Sequence, residues 1–178
     1  MVEPVLREVR PEDGPAISAL HARAFGPGRF ARTAYRVREG SGLASRYCRV
    51  CIIGGRIVAA VRFTPITIGG VGGGMGDGKG GALLLGPLAV DPAFANRGHG
   101  RSLVRQAMDA ARADGVALVV LVGDEPYYAR LGFTRVPPGQ ITLPGPVDPT
   151  RLLAAELTPG SLAAYAGMVS HPAYRPSI

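Results

Sequence analysis

Residues 88–111, LAVDPAFANRGHGRSLVRQAMDAA, carry the pattern on which the reading of the whole chain turns. An apolar strand ending at Val90 passes through Asp91-Pro92 into a loop with glycines at 98 and 100, and the loop opens directly into a helix. Leu103, Val104, Ala107, Met108 and Ala111 recur at helical spacing and give that helix one apolar face. Gly98 and Gly100 let the backbone approach a ligand closely. The N–H groups of the first helical turn have no intrahelical acceptor and carry the positive end of the macrodipole behind them. Arg97 and Arg101 add charge, and His99 and the Ser102 hydroxyl add donors to phosphate. The stretch predicts a pyrophosphate cradle over Ala95, Asn96, Arg97, Gly98, His99, Gly100, Arg101 and Ser102.

Working outward, ALLLGPLAV (82–90) reads as the strand that feeds this loop. Its Gly86-Pro87 interrupts the hydrogen-bond ladder a central strand needs, so a break is expected there. Downstream, the apolar run 116–122 reads as a buried strand. It is followed by a short helix with Asp124 as cap, Pro126 in the first turn and Gly132 at the end, and then by another strand. That helix carries Tyr127 and Tyr128. Upstream, VLREVR is a first strand, and RPEDGPAISALHARAF a helix with Asp13 as its cap. Residues 29–39 are a shorter basic helical candidate. Strands near 46–53 and 56–63, the second running on towards Ile68, flank a Gly54-Gly55 turn. The tail 137–178 is punctuated by prolines and offers strands near 152–157 and 162–170. The order β-α-α-β-β-β-α-β-α-β predicts an α/β fold with a mixed sheet and helices on both faces.

Three other features read differently. Cys48 and Cys51 form a C-x-x-C inside the hairpin. Side chains three apart on a strand point to opposite faces, so they are expected neither to pair nor to share a metal. Residues 69–81 hold nine glycines, and Gly73, Gly78 and Lys79 nearly match a P-loop. Gly80 stands where the magnesium-binding Ser/Thr belongs, and a strand follows instead of a helix, so a glycine-rich hairpin connection is expected. The 178 residues, 47% apolar and 19% charged, suit one domain over 1–178 and exclude intrinsic disorder. Nothing spans a membrane, and the N-terminal charges do not suit a leader, so a cytoplasmic protein is expected. The net charge of +7 comes from dispersed arginines with few interleaved aromatics, which argues against nucleic acid as partner.

Taken together, the motifs resemble the GCN5-related N-acetyltransferase (GNAT) superfamily over about residues 5–136. Within it the chain looks like the YhbS-like branch of predicted bacterial acetyltransferases. That superfamily's V-x-P-x-x-(Q/R)-x-x-G-x-G-x-x-L appears as Val90, Pro92, Ala95, Gly98, Gly100 and Leu103, with Ala95 replacing the usual Gln or Arg. Its later Y-x-x-x-G-F appears as Tyr128, Gly132 and Phe133, and LLAAELTPGSL looks like the branch's C-terminal extension, packed on the core. The resemblance implies a mostly antiparallel mixed sheet splayed between the fourth and fifth strands. The backbone groups of Leu88, Ala89 and Val90 would then be free to bind the pantetheine arm of acetyl-CoA, the acyl donor, and no metal is needed. It implies direct transfer to a primary amine of a small molecule or peptide, with the Leu88 N–H on the thioester oxygen and Tyr128 as acid to the thiolate. Tyr127, about 100° round the helix, is expected to point into packing or towards the acceptor. His21, Glu39, Asp124 and Glu125 are candidate bases. A non-catalytic acyl-CoA-binding module of the same fold is the alternative, and the acceptor and a homodimer are left open.

Overall fold

Apolar runs alternating between two buried faces build one ten-stranded sheet in the computed structural model, which describes residues 1–26, 37, 45–72 and 80–172. Its main path is β1 (Val5–Glu8), β2 (Arg49–Ile53), β3 (Arg56–Ile68), β5 (Ala82–Val90), β6 (Leu118–Val122), β9 (Leu152–Glu156) and β7 (Thr134–Arg135). The short strands β4 (Val71–Gly72), β8 (Ile141–Thr142) and β10 (Gly167–Ser170) lie off this path. Neighbours run antiparallel except in the β5–β6 and β8–β10 pairs. The helices are α1 (Gly14–Phe25), α2 (His99–Ala113) and α3 (Glu125–Ala129).

Period-2 alternation sorts the core by face. Leu83 and Leu85 of β5 and Val119 and Leu121 of β6 meet Leu103, Val104, Ala107, Met108 and Ala111 of α2. Leu84 and Val120 face the other way, onto Ile141, Leu143, Tyr165 and Val169 of the C-terminal segment. Leu20 of α1 packs on Val50, Ile57, Ala60 and Ala89. The expected mixed sheet with helices on both faces is present. Val37 is helical and buried in this core, whereas the rest of the 29–39 candidate, Gly73, Gly78 and Lys79 lie outside the described residues.

The strand expected near 152–157 is present as β9, inserted between β6 and β7 and paired with both. Two expectations need correction. The strand expected at 162–170 begins as a 3-10 turn, Ser161–Ala164, and only β10 is extended. Asp13 does not cap α1 with its side chain. Its carboxylate turns back to accept two bonds from Arg7 (2.7 and 2.9 Å) and one from the Arg10 N–H (2.7 Å).

The two thiols are buried apart from each other's chemistry. Cys48 stands just before β2 with its sulfur against the Phe63 backbone, and Cys51 packs into the α2-facing core, where burial pushes its thiol pKa up. Replacing both with Ala is expected to lower stability by about 1–2 kcal/mol through lost packing, without weakening ligand binding. Urea unfolding paired with calorimetric titration checks this.

Candidate active site

The strands β5 and β6 pair over only three positions, Ala82–Leu118, Leu83–Val119 and Leu84–Val120. Beyond them β5 follows β3 to Val90 while β6 follows β9 to Val122, so the sheet opens into a V. The opening begins at Gly86-Pro87. Val61 pairs with Leu88 and Phe63 with Leu85, so these two residues oppose the single residue Arg62 in a β-bulge, and their peptide bond is cis. Past the bulge, the Asp91 N–H donates to the Val58 carbonyl at 2.8 Å. An antiparallel ladder alternates, so Ala89 also turns its N–H and C=O towards β3, and Leu88 and Val90 turn theirs into the V. Ala89 therefore does not present free groups to the opening, contrary to expectation; Leu88 and Val90 do.

At the mouth of the V lies a cavity of about 340 Å³, walled by Val90, Phe94 and the turn from Ala95 to Arg101. Asn96 adopts φ +60°, the one positive φ at a non-glycine residue among the described residues, and Gly98 follows at φ +82° as the N-cap of α2. The first bond of the helix runs from the Ser102 N–H to the Gly98 carbonyl (3.0 Å), which leaves the N–H groups of His99, Gly100 and Arg101 ahead of it. The buried Nε2 of His99 has no hydrogen-bond partner among the described residues. The Arg97 guanidinium lies over the Phe94 ring, 5.4 Å from its centroid. Ser102, expected in the cradle, is exposed and outside the cavity wall, and its N–H is taken by the Gly98 carbonyl.

Gly100 is where the cradle meets the V. A Cβ there would stand 2.9 Å from the Tyr127 hydroxyl, 3.2 Å from Val90 Cγ2 and 3.6 Å from Leu88 Cδ1. The packing expected of Tyr127 is present, its ring edge-on to Tyr128 with centroids 4.9 Å apart, and the side chain also reaches from α3 across the opening to line the cavity with Arg101 and Arg130. Tyr128 lies over Gly123 at the end of β6, edge-on to Phe133 with ring centroids 5.7 Å apart. Burial, helped by the nearby Asp124 charge, holds the Tyr128 hydroxyl well above an ordinary phenol, so it stays protonated at neutral pH. Sequence reasoning missed Tyr127 and Arg130 as cavity residues. Their i, i+3 spacing, which puts them on one helix face, was the available signal.

The loop into the cradle is anchored by Asp91, whose buried carboxylate accepts from the Ala93 N–H (3.0 Å) and pairs with Arg56 (2.7 Å) and Arg23 (3.4 Å). The Ala93 bond first, and then the two guanidiniums, pull its pKa below the usual carboxylate value against the effect of burial. A depressed pKa lends stability that is complete above the unfolded value, about 4, and is lost as pH falls through the lower folded one. Asp91→Asn is therefore expected to cost about 1 kcal/mol at pH 7, discounted because both arginines are largely exposed, with the difference from wild type fading towards pH 2. Urea unfolding across that range tests it. Among the candidate bases, Asp124 is bonded to Arg151 (3.3 Å) and Glu125 to Arg135 (2.6 Å). His21 packs by its ring on Phe25, and Glu39 lies outside the described residues.

Comparison with known proteins agrees with this geometry. Residues 15–133 match the Acetyltransferase (GNAT) family. The chain is 30% identical over 134 residues, 72% of either protein, to the uncharacterized N-acetyltransferase YhbS of Escherichia coli strain K12. The crystal structure of Escherichia coli YhbS in complex with CoA superposes with a TM-score of 0.79 at 26% identity, covering 96% of this chain and 91% of that one. A GNAT family acetyltransferase from Brucella melitensis in complex with acetyl-CoA gives 0.62 at 26% identity, over 86% and 96%. The sheet that opens beside a helix N-terminus, the motif register and these likenesses place the chain in the GNAT family of acetyltransferases.

Proposed function

We propose that the protein transfers the acetyl group of acetyl-CoA directly to a primary amine. The observation that carries this reading is the V between β5 and β6, opening beside the uncapped N-terminus of α2. Three N–H groups, the Arg97 and Arg101 charges and a glycine at the point of closest approach suit a diphosphate. The Leu88 and Val90 backbone groups suit the amides of the pantetheine arm, which would lie along β5 like an added strand.

In this reading the Leu88 N–H steadies the thioester oxygen as a neutral amine attacks the carbonyl carbon. The C–N bond forms, the C–S bond breaks, and Tyr128 gives its proton to the departing sulfur. Tyr128 is then reprotonated from solvent, which also takes the surplus proton of the acetylated nitrogen. Asp124 and Glu125 are both engaged by arginines, and neither is assigned as base. The reaction consumes one acetyl-CoA and one amine and releases an amide and CoA.

A thiol-release screen with acetyl-CoA over small amines, aminoacyl compounds, polyamines and peptides tests the proposal. Turnover on one acceptor class supports it. Stoichiometric CoA binding without turnover on any class overturns catalysis in favour of an acyl-CoA-binding module.

A further inference from the structure

We infer that the Tyr127 hydroxyl is a ligand-binding group of its own, donating a hydrogen bond where the pantetheine arm of an acyl-CoA leaves the diphosphate. The inference rests on the acetyl-CoA reading and adds a residue to it. The free N–H donors run from His99 to Arg101 and the arm's backbone partners begin at Val90, and a Cβ built on Gly100 would fall 3.2 Å from Val90 Cγ2 and 3.6 Å from Leu88 Cδ1. The Tyr127 oxygen stands at that contact, 2.9 Å from the Gly100 Cβ position. Its ring is carried by α3, on the β6 side, so the side chain spans the V from one wall to the other. Arg101 and Arg130 share the cavity with it, so the surroundings favour an acceptor-rich ligand over an apolar one. The partly exposed phenol is protonated at neutral pH and able to donate, and partial burial raises its pKa further. Tyr128, its ring against Gly123 and edge-on to Phe133, does not line this cavity, although its ring lies next to that of Tyr127.

Calorimetric titration of the full chain with two probes, CoA and adenosine 3′,5′-bisphosphate, tests this. The second probe lacks the arm and its phosphate junction. Tyr127→Phe is expected to bind CoA about fivefold more weakly, the loss of one hydrogen bond, and adenosine 3′,5′-bisphosphate as wild type does. Gly100→Ala completes the cycle. Its methyl meets both the hydroxyl and Val90 in wild type but is relieved of the hydroxyl in Tyr127→Phe, so the two penalties on CoA binding are expected to be less than additive. Equal CoA affinity in wild type and Tyr127→Phe, equal loss on both probes, or strictly additive penalties would each overturn the assignment. Failure of the wild-type chain to bind CoA at all is a different result, and it overturns the acetyl-CoA reading itself.

Discussion

Tyr128→Phe is expected to lower kcat about 100-fold while leaving the Kd for acetyl-CoA within about twofold of wild type. The substitution keeps the ring over Gly123 and its edge against Phe133, so the packing that orders α3 survives. Only the hydroxyl is removed. General acid catalysis spans about 10²–10⁴-fold, and the low end applies because a thiolate is a tolerable leaving group. A loss confined to kcat identifies an interaction made in the transition state alone. Burial raises the Tyr128 pKa, and a raised pKa extends the range in which the proton is held. The acid limb of kcat against pH should therefore be the same in wild type and variant. Full kcat in Tyr128→Phe would remove the residue from the mechanism.

The second large effect is expected at the junction of cradle and V. Gly100→Val places a branched side chain where even a single Cβ would stand 2.9 Å from the Tyr127 hydroxyl and 3.2 Å from Val90 Cγ2. The hydroxyl can swing away, but Val90 belongs to β5 and has the sheet behind it. Binding of acetyl-CoA should weaken at least about 100-fold. At a ligand concentration of about 100 times the wild-type Kd, stabilisation by mass action falls from about 2.7 to about 0.4 kcal/mol. For a chain of this size that means a ligand-induced Tm shift of about 5–10 °C shrinking to about 1 °C. Gly98→Val makes the informative contrast. No atom stands near its Cβ position, and the penalty comes only from φ +82°, so it should lower the stability of the free protein more than the obstruction of its ligand site. A normal shift in a folded Gly100→Val protein would sink the cradle assignment.

Features set by neighbouring residues were readable before any coordinates. The span of β5 and the apolar face of α2 follow from short-range periodicity, and the break at Gly86-Pro87 follows from what proline does to a ladder. The helix N-terminus at Gly98 is local too, because a helix start preceded by glycines is a property of some ten residues. Pairings made across long stretches of chain were not readable. Nothing near Leu152 shows that β9 slides between β6 and β7, since its five residues would suit an edge as well as an interior position. That Tyr127 lines the cavity was not readable for a related reason. Helix geometry gives the angle between Tyr127 and Tyr128, yet the rotation of α3 as a whole depends on Gly123 admitting the Tyr128 ring from the opposite side. Asp13 and Asp91 show the same limit, as their partners Arg7, Arg23 and Arg56 come from other elements.

The insertion of β9 has a consequence for how the chain is made. Strand β6 is Leu-Val-Val-Leu-Val, with its first four residues fully or almost fully buried once the sheet is complete. On the ribosome it emerges about 34 residues ahead of the end of β9, the strand that covers its outer edge. At roughly 5–20 residues per second that is a wait of about 2–7 s. Throughout it, a flat apolar edge with unpaired N–H and C=O groups is open to any passing strand. Its inner edge gives little relief, because the same divergence that makes the V limits pairing with β5 to three residues. Yield in the cell should therefore depend on the translation speed of residues 123–156, and slow codons there would favour aggregation over folding.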